Sequence, residues 1–303
     1  MKHCAPNQRG IALIMAVLLS AMVAALSITL TGRVHLWLKQ VQNRQDMHSA
    51  QRTALAAIDL ARLTLRDDAR KNHVDHMLEA WTMPIPPMDV EEGQLGGRIV
   101  ELQGLFNLAN LIKNGQPDRS ALQHFQRLLI VLGLESSLSD RLEQALIAHL
   151  QARNPATLAV FPYQSLEALG ELPGFTSEAI EKLKPFVTLL PEPGPVNANF
   201  MSPELLLAML PEVSRADVNT LISQRSGHFY ATVNDFIAAF PEALRGKVAR
   251  ELFVVESRYF LIEVDSWFGR AHLRYQALLG RKPNNLPEMI WLRRIYEGGI
   301  SPV

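Results

Sequence analysis

The chain has 303 residues, of which 48% are hydrophobic and 20% are charged, so it can bury one or two cores, which excludes global disorder. The chain has 30 Lys and Arg residues and 30 Asp and Glu residues. This balance gives no net electrostatic field that would attract nucleic acid or a cationic partner. Cys4 is the only cysteine, which excludes a disulfide framework and a cysteine-rich zinc site.

An uncharged, apolar stretch occupies residues 11–32. Lys2 and Arg9 precede it, and the first charge after it is Arg33. About 20 apolar residues in a helix span the hydrocarbon core of a bilayer. Three interpretations are open at this point: a secretory signal peptide cut near residues 23–25, a plain N-terminal anchor, and a pilin-type signal.

The residues that follow the apolar stretch predict a continuous helix. The range 33–71 contains no proline and no glycine, and its apolar residues recur at helical spacing. These positions are Ala54, Leu55, Ile58, Ala61 and Leu65. A helix of about 60 residues therefore begins in the membrane and ends packed on a globular domain. A cleaved signal peptide has no reason to continue into such a helix.

Arg9-Gly10 followed by Ile11 and an apolar run resembles the cleavage region of type IV pilins and pseudopilins. The resemblance implies a prepilin leader, cleavage after Gly10 and methylation of Ile11. Most members have a Glu at the fifth mature position, where this chain has Met15. In lacking that Glu, the chain resembles the K pseudopilins. A carboxylate in lipid is costly without a cationic neighbour, and a subunit that caps a fibre has no neighbour ahead of it, so Met15 fits a partner contact at the tip.

The segment after the helix mixes turns with short strands. Prolines at 83–87 predict extended backbone, and 96–102 predicts a turn and a short strand. Residues 104–110 (GLFNLAN) resemble the Gly-Arg-Phe-Asn-Leu-Asn signature of K pseudopilins, with Leu105 in place of the Arg and the second Asn shifted by one. For the Gly and Asn of this segment we predict turn and strand-edge roles and not ligand roles.

Residues 118–251 predict an all-helical region, because short apolar-periodic segments alternate with Pro, Gly and Asn. Residues 169–175 (LGELPGF) match 207–213 (LAMLPEV), which indicates a duplicated helix–turn–helix unit. Between the units, an Asn in 197–199 can cap the helix that begins near Pro203. The pair resembles the SAM-like helical modules of K pseudopilins, and it also resembles the helix-hairpin-helix of DNA-binding proteins.

Charge separates these two possibilities. Residues 165–225 contain eight acidic and four basic residues, and Glu212 in the second hairpin replaces Gly174 in the first. This excess of acid would repel phosphate, so we favour protein contacts or simple packing over DNA binding. Phe229 and Tyr230 in the aromatic segment 228–240 are candidate partner contacts, although most of its aromatic residues are expected in the core.

The end of the chain returns to strands. Residues 258–264 and 271–278 are extended runs, and 265–269 is predicted as their hairpin loop. The predicted fold class is therefore α+β: a pilin-like fold, with a long N-terminal helix packed on a small antiparallel sheet, and a large all-helical SAM-like insertion. The resulting division is a leader (1–10), a transmembrane half-helix (11–32), a periplasmic half-helix (33–71), the first part of the pilin-like domain (72–117), the insertion (118–251) and the C-terminal strands (252–303).

The sequence contains few candidate catalytic or metal-binding motifs. The chain has no Gly-rich phosphate loop and no His-Glu-x-x-His, so we do not expect an enzyme. Asp75, between His73 and His76, is interpreted as a solvated loop residue. An acidic turn at Asp89, Glu91 and Glu92 could hold calcium through hard oxygen ligands, and the resemblance implies calcium near the sheet without assigning its ligands.

The resemblance implies a single-pass inner-membrane protein with its bulk in the periplasm. It would lie at the tip of a type II secretion pseudopilus, initiate fibre assembly and help to export folded proteins across the outer membrane. Implied partners are the I and J minor pseudopilins, the major pseudopilin, the prepilin peptidase and the inner-membrane secretion platform; no nucleic acid is expected. The alternative is a membrane-anchored helix-hairpin-helix protein that handles DNA at the cell envelope.

Overall fold

A computed structural model describes residues 9–152, 161–225, 227–283 and 285–296. It begins with α1 (Arg9–Lys71), one unbroken helix of 63 residues. The prediction of a single helix that runs from the apolar stretch into the folded part is confirmed. Residues 1–8 of the predicted leader lie outside the described residues.

The elements after α1 fall into three groups. The first group is β1 (Ile85–Val90), β2 (Gly93–Glu101), β3 (Phe106–Asn107), β4 (Ile112–Lys113) and β5 (Gln116–Pro117). The second is α2 (Arg119–Val131), α3 (Ser137–Ala152), α4 (Ser177–Leu183), β6 (Val187–Thr188), β7 (Val196–Asn197), α5 (Pro203–Met209), α6 (Arg215–Arg225), α7 (Val233–Ala238) and α8 (Glu242–Arg245). The third is β8 (Phe253–Val254), β9 (Tyr259–Phe268), β10 (Ala271–Gly280) and β11 (Glu288–Ile295).

The main sheet has five antiparallel strands in the order β1-β2-β9-β10-β11. β2 and β9 are hydrogen-bonded neighbours, with Gly93 opposite Phe268 and Glu101 opposite Phe260. The whole helical region lies between these two strands in the chain, so it is an insertion between two adjacent strands of one sheet. The predicted α+β fold, with a long helix, a small antiparallel sheet and a helical insertion, is confirmed.

One core joins α1 to the sheet. The buried side of α1 repeats at intervals of four and three residues, which places these positions on one helical stripe. They are Ala50, Ala54, Ile58, Ala61 and Leu65. Alternate residues of β9, namely Phe260, Ile262 and Val264, face this stripe and are at most 3% exposed. The alanines let the helix lie close to the strands.

A second core lies inside the insertion, and the duplicated unit contributes to it. The first unit combines a short 3-10 turn (Glu167–Glu171) with α4, and the second combines α5 with α6. Equivalent positions of the two units are buried in the same cluster. These are Ile180 and Leu183 in the first unit and Val218 and Leu221 in the second. The repeat is therefore a packing module.

Several local predictions were wrong. β2 begins at Gly93, so Gly96 and Gly97 lie inside the strand, and the turn is formed at Glu91, whose φ is +43°. A side chain at Gly97 would meet the carbonyl of Glu263 on β9, which explains a glycine in mid-strand. The predicted loop at 265–269 is mostly strand, because β9 and β10 are joined by a tight turn at Gly269 with φ +52°.

Two details of the insertion also differ. The hydroxyl of Ser202, and not an Asn of 197–199, caps α5 by accepting a hydrogen bond from the backbone N–H of Leu205 at 3.1 Å. Pro203 does occupy the first turn of that helix. The region is not purely helical, because β6 and β7 pair in parallel with β3 and β8 and attach the insertion to its flanks.

Candidate functional site: an exposed N-terminal helix and a buried polar junction

The N-terminal half of α1 is not covered by the rest of the described chain. Its most apolar 18-residue window has a mean hydropathy of 2.5 and is 0% buried. By length and composition this helix can cross a membrane. Met15 is 68% exposed, so its side chain faces whatever surrounds the helix. Gly10 and Ile11 lie in the first turn of α1, and their processing stays a prediction.

Two asparagines of segment 104–110 bind the chain that follows α4. The side chain of Asn107 accepts a hydrogen bond from the backbone of residue 190 and donates one to the backbone of residue 192, at 3.1 and 2.8 Å. Asn110 exchanges two hydrogen bonds with the backbone of Gly194, at 2.9 and 2.8 Å. Each amide therefore satisfies backbone groups that have no strand partner, which agrees with the structural role predicted for these residues.

A second pair of asparagines gathers three distant segments. The side-chain amides of Asn197 and Asn199 both donate to the carbonyl of Asp75, at 3.4 and 3.2 Å. Asn197 also donates to the hydroxyl of Ser257 at 2.7 Å, and Asn199 bonds both the N–H and the C=O of Tyr230. Both asparagines are at most 1% exposed. They join the loop after α1 to the insertion and to the approach to β9.

The side chain of Asp75 is the centre of this junction. Asp75 is 1% exposed and Arg281 is 5% exposed, and the guanidinium binds the carboxylate directly. Arg281 also donates to the carbonyl of Ser257 at 2.7 Å and lies 4.9 Å from the centre of the Phe260 ring. The interpretation of Asp75 as a solvated loop residue was wrong. Its partner, Arg281, lies 206 residues further along the chain, and no local sequence pattern indicates this pairing.

Glu101, at the end of β2, adds a second buried carboxyl group. It accepts hydrogen bonds from the backbone N–H groups of Gln103 and Gly104 at 2.7 Å each, and from the hydroxyl of Ser257 at 2.5 Å. Burial raises the pKa of Glu101 to about 7, because the cost of desolvation outweighs these three hydrogen bonds, which favour the ionised form.

Asp68 and Glu79 stand beside Asp75, and oxygen atoms of the three carboxyl groups lie within 4.8 Å of one another. The pKa of Asp68 is raised to about 7, mainly by burial. The negative charges of Glu79 and Asp75 contribute to this rise, and the positive charge of Arg281 partly opposes it. One oxygen of Asp68 and one of Asp75 are buried without a hydrogen-bond partner. Three carboxylates against one guanidinium leave an excess of two negative charges. Protons or a divalent cation would offset this excess, and hard oxygen ligands suit calcium.

The acidic turn considered for calcium is arranged differently. Asp89, Glu91 and Glu92 are all exposed, and Asp89 accepts a hydrogen bond from the side chain of Gln94 at 3.0 Å. Among the described residues, the acidic side chains whose oxygen atoms cluster are Asp68, Asp75 and Glu79 of the junction. The acidic side chains of this turn form no such cluster.

Phe229 and Tyr230 occupy different environments. Phe229 is half-buried and stacks on His76, with ring centres 3.8 Å apart. Tyr230 is 7% exposed and packs edge-on against Phe236 at 5.3 Å. Phe229 therefore offers the larger surface to a partner, and Tyr230 contributes mainly to the core of the insertion.

Most cations of the duplicated unit have partners within the same chain. Lys182 and Lys184 lie 3.2 and 2.6 Å from carboxylates of their own helix. Arg225 is partly buried and donates to the carbonyls of Ala198 and Met201, at 3.0 and 2.7 Å. Three of the four basic residues in 165–225 thus have protein partners, and each of the two lysines lies beside an acid that would repel a phosphate backbone.

Comparisons with known proteins agree with this architecture. Family models described as "Type II secretion system (T2SS), protein K" match residues 104–192 and 196–256. The type II secretion system protein K of Pseudomonas aeruginosa is 29% identical over 280 residues, which cover 84% of each chain. The protein K of Klebsiella pneumoniae is 27% identical, over 91% of this chain and 93% of the relative.

A solved structure has the same fold. It is the GspK-GspI-GspJ complex from the type 2 secretion system of enterotoxigenic Escherichia coli. The matching chain aligns with a TM-score of 0.69 and 19% identity, over 85% of this chain and 100% of its own length. The two chains thus share a pilin-like fold with a helical insertion.

Proposed function

We propose a role in protein secretion for this chain, which belongs to the type II secretion system protein K family. In this proposal it is a minor pseudopilin at the tip of the pseudopilus. There it helps to initiate assembly of the fibre and to export folded proteins across the outer membrane.

The exposed half of α1 carries this proposal. An apolar helix that is 0% buried beside a well-packed domain needs either lipid or other helices around it. A pseudopilin uses both: it stands in the inner membrane with its bulk in the periplasm, and it then packs in a fibre. Met15 supports a position at the tip, because the capping subunit has no neighbour ahead whose N-terminal amine could pair with a carboxylate.

The partners follow from the solved relative, which was crystallised with GspI and GspJ. For this chain we propose the I- and J-type minor pseudopilins of its own secretion system, and, for its processing and assembly, the prepilin peptidase, the major pseudopilin and the inner-membrane platform. Phe229, with its stacked but incompletely covered ring, is a candidate contact for a partner.

Co-purification tests this function. The full chain, tagged and extracted in mild detergent, is co-expressed with the I- and J-type subunits of the same bacterium, and we expect one stable three-subunit complex. A fusion of residues 1–45 to an unrelated soluble domain is the control for binding through the membrane helix alone. If the full chain retains neither subunit, or if the fusion retains them equally well, the proposed function is wrong.

The acid cluster of the junction supports a further proposal, that it holds calcium. Asp68, Asp75 and Glu79 would supply the oxygen ligands, and Arg281 would offset part of their charge. The ion would fasten the loop after α1 to the end of that helix. We expect calcium to raise the melting temperature of the purified chain, and Asp68→Asn to abolish that rise. Asp67→Asn is the matched control, because Asp67 is the preceding residue and its exposed carboxylate pairs with Arg66. An equal calcium response in both variants would exclude this site.

A further inference from the structure

The two outer edges of the main sheet differ. β1 forms one edge, and it contains Pro86 and Pro87, which have no N–H to donate. Its pairing with β2 also slips between Ile85 and Met88. Prolines and an irregular register are the usual means by which proteins keep another strand from adding to an edge. The β1 edge is therefore closed to strand pairing.

β11 forms the other edge and lacks the prolines that close β1. It contains no proline and no glycine, and it pairs with β10 from Glu288 to Ile295 with a single register shift. Within the described residues no strand lies on its outer side. The strand is largely apolar, and Ile290 and Leu292 are 39% and 38% exposed. A long apolar edge of this kind is a template for an additional strand.

Two arginines on β11 have no carboxylate partner among the described residues. Arg293 donates to the side chain of Gln276 and lies 4.8 Å from the ring centre of Trp291. Arg294 lies over the ring of Tyr296 at 4.7 Å, and its Nε is buried without an acceptor. A buried donor with no acceptor is costly. An acidic group supplied by a partner would give the guanidinium of Arg294 the acceptor that it lacks.

The only acid of the strand does not meet this need. Glu288 is held by Lys282 at 2.5 Å, at the opposite end of β11 from the two arginines. The far half of the edge therefore combines apolar side chains with two uncompensated positive charges.

We propose that the free edge of β11 pairs with an extended segment of the I- and J-type minor pseudopilin pair. The apolar side chains of that segment pack over Ile290 and Leu292, and a carboxylate on it accepts hydrogen bonds from Arg294. This inference rests on the proposed function and identifies the surface that a partner uses.

Edge substitutions test the pairing. The purified I- and J-type pair is immobilised, and binding of the full chain in detergent is measured for Leu292→Lys and for Met88→Lys. Met88 lies on the closed β1 edge and is 52% exposed, so it is the matched control. We expect Leu292→Lys to weaken binding at least tenfold and Met88→Lys less than twofold. Arg294→Gln should weaken binding severalfold and reduce its dependence on salt.

Hydrogen–deuterium exchange of the unmodified chain tests the same pairing without any risk of misfolding. Alternate amides of 288–295 point away from β10 and should exchange quickly in the free chain, then slowly in the complex. If the unmodified chain binds the pair but this segment gains no protection, or if Leu292→Lys binds normally, the edge inference is wrong and the proposed function stands. If the unmodified chain does not bind the pair at all, both are wrong.

Discussion

Replacement of Arg281 by methionine tests the energetics of the buried junction. Methionine keeps an unbranched apolar stem beside the Phe260 ring, which lies 4.9 Å from the guanidinium, while it removes the charge. Asp75 would remain 1% exposed with no counter-charge. The backbone N–H of Ser257, at 2.6 Å, would be its main remaining hydrogen-bond donor.

Breaking a buried ion pair by removing one partner costs about 3–5 kcal/mol, because an uncompensated charge stays in the core. We expect Arg281→Met to lower the free energy of unfolding by an amount in that range. Adding Asp75→Asn removes the stranded charge, so the double variant should lose about 1–3 kcal/mol less than the sum of the two single variants.

Arg258→Met is the matched control. Arg258 also forms an ion pair, with Glu192 at 3.4 Å, but both side chains are more than half exposed. An exposed pair of this kind contributes about 0–1 kcal/mol. The assay is denaturant unfolding of the full chain in detergent, followed by tryptophan fluorescence, because Trp81 is buried and packs edge-on against Phe260 at 5.4 Å. A chelator is present, so that a bound cation cannot replace the lost charge. If Arg281→Met costs no more than Arg258→Met, or if the double variant is simply additive, the junction does not stabilise the fold in this way.

Four further predictions concern processing, membrane insertion, pH and nucleic acid. Gly10→Val should leave an uncut precursor, because a side chain would crowd the scissile carbonyl; mass spectrometry of the mature N-terminus decides this, and a start near Ser27 would show a secretory cut instead. Met15→Glu should impair assembly at a cost of about 2–3 kcal/mol, and unchanged secretion would contradict the capping argument. The pKa of Glu101 is raised from 4.5 to about 7 in the folded chain, so its contribution to stability should decline as pH rises from about 4.5 to 7; Glu101→Gln should flatten that part of the melting-temperature profile. The acidic excess in 165–225 predicts no sub-micromolar, salt-sensitive binding of duplex DNA, which an anisotropy titration at low and at 150 mM salt would measure.

Periodic patterns made the architecture predictable. The helical stripe of α1, the alternation of β9 and the duplicated motif are each local in sequence, and each reports which side of an element is buried. Together with the resemblance at Gly10, Met15 and 104–110, they were enough to place the helical region between strands of one sheet.

The junction could not be predicted in the same way. Asp75 looked like a loop residue because its burial depends on Arg281, on Ser257 and on the amides of Asn197 and Asn199, all of them more than 100 residues away in the chain. A polar residue carries no period that reveals such partners. The hairpin itself was predicted, but its loop was placed at 265–269 for a related reason: Asp265 lies on the more open face of β9, where a polar side chain resembles a loop residue.

The insertion enters and leaves the sheet at one place. The backbone N–H of Leu102, just after β2, donates to the carbonyl of Tyr259, the first residue of β9, at 3.2 Å. In the unfolded chain this contact would require closure of a very long loop, at an entropic cost that grows with loop length. An insertion that folds first brings its own ends together. The entropic cost of pairing β2 with β9 is then about that of closing a short turn. Central strand pairing would therefore wait for the helical region, and mutations that slow its collapse should delay formation of the whole sheet.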